Sequence, residues 1–164
     1  MDGPSGGVKG RLMIESDVLH AHIKESDWLK APAETLLKAV HEGEARNFYA
    51  GREVLHELYY LLSRSGQRPE EALSKVGALT RIGNLTWTST STDNDLLALS
   101  LVATYRLSSI FDAYRAAACL LHDPDHTMVS TDSVYDEILG LKRVDPRDLA
   151  ERLLDKGTET SERR

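Results

Sequence analysis

The sequence predicts an α/β domain built on a mostly parallel sheet. Short apolar or β-branched runs alternate along the chain with amphipathic helical stretches. A length of 164 residues, 41% hydrophobic and 28% charged, suits one soluble domain with a real core. No internal repeat or low-complexity block interrupts the alternation.

The elements follow in order. Residues 1–10, "MDGPSGGVKG", are Gly-rich without periodicity and read as a flexible extension. The ordered domain is expected over 11–149, and 150–164 as a helix end with a flexible tail from Lys156. "RLMI" is a first strand, and a helix starts near Val18. "WLKAPAETLLKAVHEG" carries Leu36, Leu37 and Val40 at helical spacing and stops at Gly43. "NFYAG" is a weak strand. "REVLHELYYLLSRSG" is a strong amphipathic helix, with Val54, Leu55, Leu58, Leu61 and Leu62 expected on its buried face.

Pro69 opens a helix through "PEEALSKVGALT", and "NLTWTS" has strand composition. In "STSTDNDLLALSLVATYRL", Ser89 or Thr90 with Asp93 resembles a capping box. "SSIFDAYRAAACLLHD" is apolar on nearly every side and reads as a buried helix. "TMVST", then "DSVYDEIL", then a "KRVDP" strand complete the domain.

The net charge of −6 argues against a simple basic nucleic-acid binder, although 20 Lys and Arg remain to meet phosphates. The single Cys119, within "AAACLLH", reads as a small buried hydrophobe and fits a reducing cytoplasm. No apolar run approaches the roughly 20 residues of a membrane span, and no signal-peptide pattern opens the chain, so a cytoplasmic protein is expected.

Five acids stand where the pattern predicts burial or a functional edge. Glu15 and Asp17 follow the first strand, and ligands of open α/β sheets bind beyond such carboxyl ends. Asp17 could instead cap the next helix, a task for which Glu15 is poorly suited. Glu57 lies at the edge of its helix's apolar arc, which also suits a rim residue. Asp112 falls in the first turn of the most apolar helix, where the helix dipole favours an anion. Asp132 follows "TMVST", again at a strand end, in a "STDS" sequence that also makes a good turn or N-cap. Two bare carboxylates about 4 Å apart repel by roughly 4 kcal/mol at an effective dielectric near 20. A group of them therefore needs a cation, and oxygen-only ligands favour Mg²⁺ or Mn²⁺ over zinc.

Four ordered blocks, "MIESDVLHAHI", "VLHELYYLL", "FDAYRAA" and "VSTDSVYDEILGLKRVDP", resemble the PIN-domain family, single-stranded-RNA nucleases that include VapC-type toxins. The resemblance runs from Arg11 to Pro146. It is most specific in the D-A-x-x-A-A helix and in the T-D turn followed by an aromatic and G-L-x-x-x-x-P. It implies a three-layer α/β/α fold with a central parallel sheet of four or five strands. It also implies an acidic cluster that binds Mg²⁺ or Mn²⁺ and hydrolyses RNA phosphodiesters. Glu57, Asp112 and Asp132 match the family's second, third and fourth acidic positions. At the first block the family has D-x-N, D-x-S or D-x-D, whereas this chain has Glu15, with Asp17 two residues on. Either or both could face the ion. The resemblance further implies a homodimer and an antitoxin protein as partner.

Two alternatives stay open: a catalytically silent PIN-like module that binds RNA or protein, and a haloacid-dehalogenase-like phosphatase, which would need an Asp nucleophile where Glu15 stands. His20, His22 and His126 lack zinc spacing, and no nucleotide-binding glycine motif or nucleophile elbow is present. Arg115, one turn after Asp112, could face phosphate near a metal, but reads more simply as a surface residue or an i,i+3 partner, and Trp28 and Trp87 read as packing residues rather than base-stacking platforms.

Overall fold

The computed structural model describes residues 10–161, so most of the expected N-terminal extension lies outside the described residues. The strands are β1 (Leu12–Ile14), β2 (Phe48–Gly51), β3 (Leu85–Thr88), β4 (Thr127–Val129) and β5 (Lys142–Val144). The helices are α1 (Ser16–Ile23), α2 (Lys30–His41), α3 (Glu53–Arg64), α4 (Pro69–Leu79), α5 (Thr92–Tyr105), α6 (Ile110–His122) and α7 (Pro146–Ser161). A 3-10 helix spans Ser133–Glu137.

All five strands pair in parallel, in the order β3-β2-β1-β4-β5. Each parallel pair needs a crossover, and the helices supply it. In register, Leu12 faces Phe48 on one side and Thr127 on the other, while Gly51 aligns with Thr88 and Val129 with Val144.

Alternation along β1 splits the core into two. Leu12 and Ile14 pack with Leu36, Val40, Val54, Leu58 and Leu149 from α2, α3 and α7. Met13 turns to the opposite face, where Tyr49 and Met128 meet Ala98, Leu101 and the Ala113–Cys119 stretch of α5 and α6. The sheet is therefore covered on both faces, which is the three-layer α/β/α arrangement expected of a PIN-like fold. Cys119 is fully buried, as its apolar setting required.

Several local expectations are corrected. The N-cap of α5 is Ser91, whose side chain accepts the Asn94 amide, rather than Ser89 or Thr90. "DSVYDEIL", to which the sequence assigned no element, forms a 3-10 helix over Ser133–Glu137, capped by Asp132. The last helix runs Pro146–Ser161, past Lys156; Asp145, which accepts the Arg147 amide, and Pro146 fix its start. Leu61 is exposed, so the buried stripe of α3 is the narrower Val54, Leu58, Leu62 row. Among the described residues no single helix is long and apolar enough to cross a membrane.

That narrower stripe is testable. Leu58→Ala is expected to cost about 2–5 kcal/mol of stability and Leu61→Ala less than about 1 kcal/mol, measured by urea unfolding. Equal losses would contradict this facing of α3.

Candidate functional site

The strand order changes direction at β1: β2 and β3 lie to one side of it and β4 and β5 to the other. The crevice outside the carboxyl ends of β1 and β4 is thus the switch point at which α/β sheets bind ligands. Glu15 leaves β1 here, with its amide donating to Val129 O at 3.1 Å. Ser130, Thr131 and Asp132 leave β4 beside it.

Glu15 is buried, only 3% exposed, and it is the N-cap of α1. The sequence argued that a glutamate caps poorly. Its longer stem instead lets one carboxylate serve three neighbours. Oε2 accepts the Asp17 amide at 3.1 Å, and Oε1 accepts the Ser16 hydroxyl at 2.6 Å. Oε1 also lies 2.5 Å from Arg115 Nε.

Arg115 is the centre of the site. It sits in α6, is 2% exposed, and distributes its guanidinium among three acids from three elements. Besides Glu15, Nη1 donates to Glu57 Oε2 of α3 at 2.5 Å, and Nη2 donates to Asp112 Oδ1 of α6 at 2.5 Å. The Tyr135 hydroxyl accepts from Nε at 3.2 Å and donates to Asp112 Oδ1 at 3.5 Å. The expectation of a surface arginine is therefore overturned, although the i,i+3 pairing with Asp112 is present.

One guanidinium faces three carboxylates, and the titration of each group follows from that imbalance. Burial pushes Glu15 up, but Arg115 and the Ser16 and Asp17 hydrogen bonds together hold it below the usual carboxylate range. For Glu57, burial outweighs Arg115, and the Glu15 charge adds to the rise. Asp112 is raised in the same way, with the Glu15 and Asp132 charges adding to burial. Burial disfavours the charged arginine, yet Glu15, Tyr135 and Glu57 hold its pKa well above the ordinary value.

Asp17 and Asp132 flank this cluster rather than join it. Asp17 Oδ2 accepts the Thr131 amide at 2.7 Å and the Thr131 hydroxyl at 2.6 Å, while Oδ1 accepts the Val18 amide. Burial first, then the Glu15 charge, pushes Asp17 up to about 7. Asp132 is exposed and accepts the Val134 amide at 2.9 Å, which is the capping role its sequence allowed. Its charge still acts on Asp112, which places it at the rim.

The donor chemistry of Glu15, Glu57 and Asp112 suits a hard divalent cation, since all three are carboxylates that already converge on one positive charge. The point on which they converge is held by the Arg115 guanidinium. Among the described residues no three Asp, Glu, His or Cys side chains are placed to hold a metal ion in this arrangement. A phosphatase nucleophile at Glu15 has little room, because both its oxygens are engaged and it is buried.

Sequence reasoning missed Tyr135 and the burial of Arg115 among three acids. The signal for Arg115 was an arginine inside the all-apolar "AYRAAAC" run, where a cation is rarely buried without acidic partners. Trp28 is also corrected: it is 68% exposed, with the Arg147 guanidinium 5.3 Å from its ring centre. Trp87 packs against the core as expected.

No protein-family model and no curated protein matches the chain. Solved structures do share its fold. A VapBC2 complex from Rickettsia felis bound to a promoter DNA fragment superposes with a TM-score of 0.60 at 17% identity, over 81% of this chain and 96% of that one. VapC20 of Mycobacterium tuberculosis, a sarcin–ricin loop cleaving toxin, gives 0.59 at 16% identity, over 74% and 90%. A toxin–antitoxin complex from Klebsiella pneumoniae gives 0.57 at 15% identity, over 82% and 97%. The chain thus has a PIN-like fold along nearly the full length of these proteins.

The raised carboxyl of Asp17 carries a pH signature. Its folded value, about 7, lies above its ordinary 3.8. The stability it contributes is therefore full below the ordinary value and is lost as pH rises through about 7. Asp17→Asn, which cannot ionise, is expected to gain stability relative to wild type as pH rises from about 4 to about 7 in thermal melts. A difference that stays constant across that range would contradict the assignment.

Proposed function

We propose that this chain is a Mg²⁺- or Mn²⁺-dependent endoribonuclease of the toxin type, acting at the crevice between the ends of β1 and β4. The observation that carries this reading is the convergence of Glu15, Glu57 and Asp112 from three separate elements on a single positive charge at the sheet's switch point. The PIN-like fold and the toxin neighbours support it, as does the ordered set of sequence blocks.

In this reading Glu15, Glu57 and Asp112 hold the ion, with Asp17 and Asp132 flanking it. A divalent ion bound there would polarise a phosphodiester oxygen and lower the pKa of a water. The chain's own groups set the stage. Ser16 and the Asp17 amide orient Glu15, while Thr131 clasps Asp17 and so fixes the loop that carries Asp132. Tyr135 fixes Asp112 through its hydroxyl. The toxin–antitoxin neighbours support an antitoxin protein as partner and RNA as substrate, and the family resemblance supports a homodimer.

A second reading, a silent PIN-like module that binds RNA or protein, is favoured by Arg115 standing where the acids converge. The two separate in an RNA-cleavage assay at saturating Mg²⁺ or Mn²⁺. Wild type is expected to cleave, and Asp112→Asn to lose on the order of a hundredfold or more of that activity. Equal cleavage by both proteins, or none by either, would refute the nuclease. Retained RNA or protein binding without any heat of Mn²⁺ binding would establish the silent module.

A further inference from the structure

The acids of this pocket already have a cation. Arg115 is 2% exposed, and each of its three nitrogens lies 2.5 Å from a different carboxylate. The guanidinium is held on a second side by the Tyr135 hydroxyl, itself fully buried. Its helix cannot readily turn to release it, because Ala113, Ala116, Ala117 and Cys119 are all packed with no exposure. The remaining charges that act on these groups are acidic: Glu53 beside Arg115 and Asp132 beside Asp112. Nothing in this arrangement requires a metal for the pocket to fold.

A divalent ion would need the same oxygen atoms. Two cations cannot both sit at contact distance from three carboxylates without strong mutual repulsion. Arginine is also not able to give way by losing its proton, since it stays protonated in proteins. The side chain must therefore move for the ion to enter.

We propose that Arg115 is a resident counter-ion that competes with the divalent metal for Glu15, Glu57 and Asp112, so that the resting pocket holds a cation of its own. This rests on the reading above that these three carboxylates are the metal ligands, and it adds that metal entry is conditional on displacing a side chain of the same chain. The proposal explains why Glu15 is longer than the Asp expected at that position: the extra methylene spans from the end of β1 to the arginine while still capping α1.

The test is Mn²⁺ titration of the full chain by calorimetry and thermal melting, with EDTA as the metal-free reference. Wild type should bind Mn²⁺ weakly, with a Tm almost unmoved by it. Arg115→Gln should melt lower in EDTA, recover its Tm with Mn²⁺, and bind the ion at least about tenfold tighter than wild type. Arg115→Lys, which keeps the positive charge but not the three-nitrogen fork, should fall between wild type and Arg115→Gln in Mn²⁺ affinity. Should Arg115→Gln fail to fold, the double variant Arg115→Gln/Glu57→Gln removes one of the unbalanced charges and keeps two ligands for the same titration. Tight Mn²⁺ binding by wild type, no tighter in any Arg115 variant, overturns the competition and leaves the metal-binding reading intact. No Mn²⁺ binding by any of these proteins overturns both.

Discussion

A single buried guanidinium joins the two helical layers of this protein. Arg115 belongs to α6 on one face of the sheet, and Glu57 to α3 on the other, and their contact passes over the carboxyl ends of the strands. Glu15 fixes the same group to the end of β1, and Tyr135 fixes it to the 3-10 helix. Burying a charge is costly, and removing one member of a buried pair costs about 3–5 kcal/mol because its partner is left uncompensated. The relative placement of four segments is thus tied to one side chain. Neither layer can slide along the sheet without stranding a carboxylate in a dry pocket.

The topology explains why the acids meet at all. A sheet that winds outward in both directions from β1 opens a gap at the top of its central pair. Helix N-termini point into that gap, so carboxylates there gain hydrogen bonds from backbone amides. Glu15 and Asp17 both accept such bonds, from Asp17 and from Val18 and Thr131. Asp112 lies in the first turn of its helix, but its partner is the Arg115 side chain rather than a backbone amide. Glu15 is held low by Arg115 and the Ser16 and Asp17 hydrogen bonds, whereas at Glu57, Asp112 and Asp17 burial and the neighbouring Glu15 charge outweigh the compensation.

Most of the fold was legible in the sequence because hydrophobic periodicity decides it. The strands, the helix ends at Gly43 and Gly66 and the parallel character of the sheet, though not the strand order, follow from local pattern. So did the suspicion attached to Glu15, Glu57 and Asp112, since each is an acid in a position that the pattern buries. What the sequence left open was the sign-balancing partner. Local pattern places Arg115 one turn from Asp112, but only the packing of two layers shows that the same face also meets Glu57 and Glu15. Leu61 and Trp28 were misjudged for the same reason, as each lies on a surface whose covering element is set by tertiary arrangement. The Ser91 cap differs by one residue from Thr90, a distinction that depends on backbone angles rather than residue type.

The clasp between Asp17 and Thr131 joins residues 114 positions apart in a chain whose β1 and β4 are only three residues each. Ladders that short supply few backbone rungs, so the clasp and the Glu15 amide bond to Val129 lengthen the central pair beyond its strands. Contacts of such long sequence separation carry a loop-closure cost, since the chain must close a large loop before they return any free energy. On a ribosome, the acids of the first strand end would emerge and wait while more than a hundred further residues were made. The pocket is therefore complete only once segments more than a hundred residues apart in the chain have met on the same sheet.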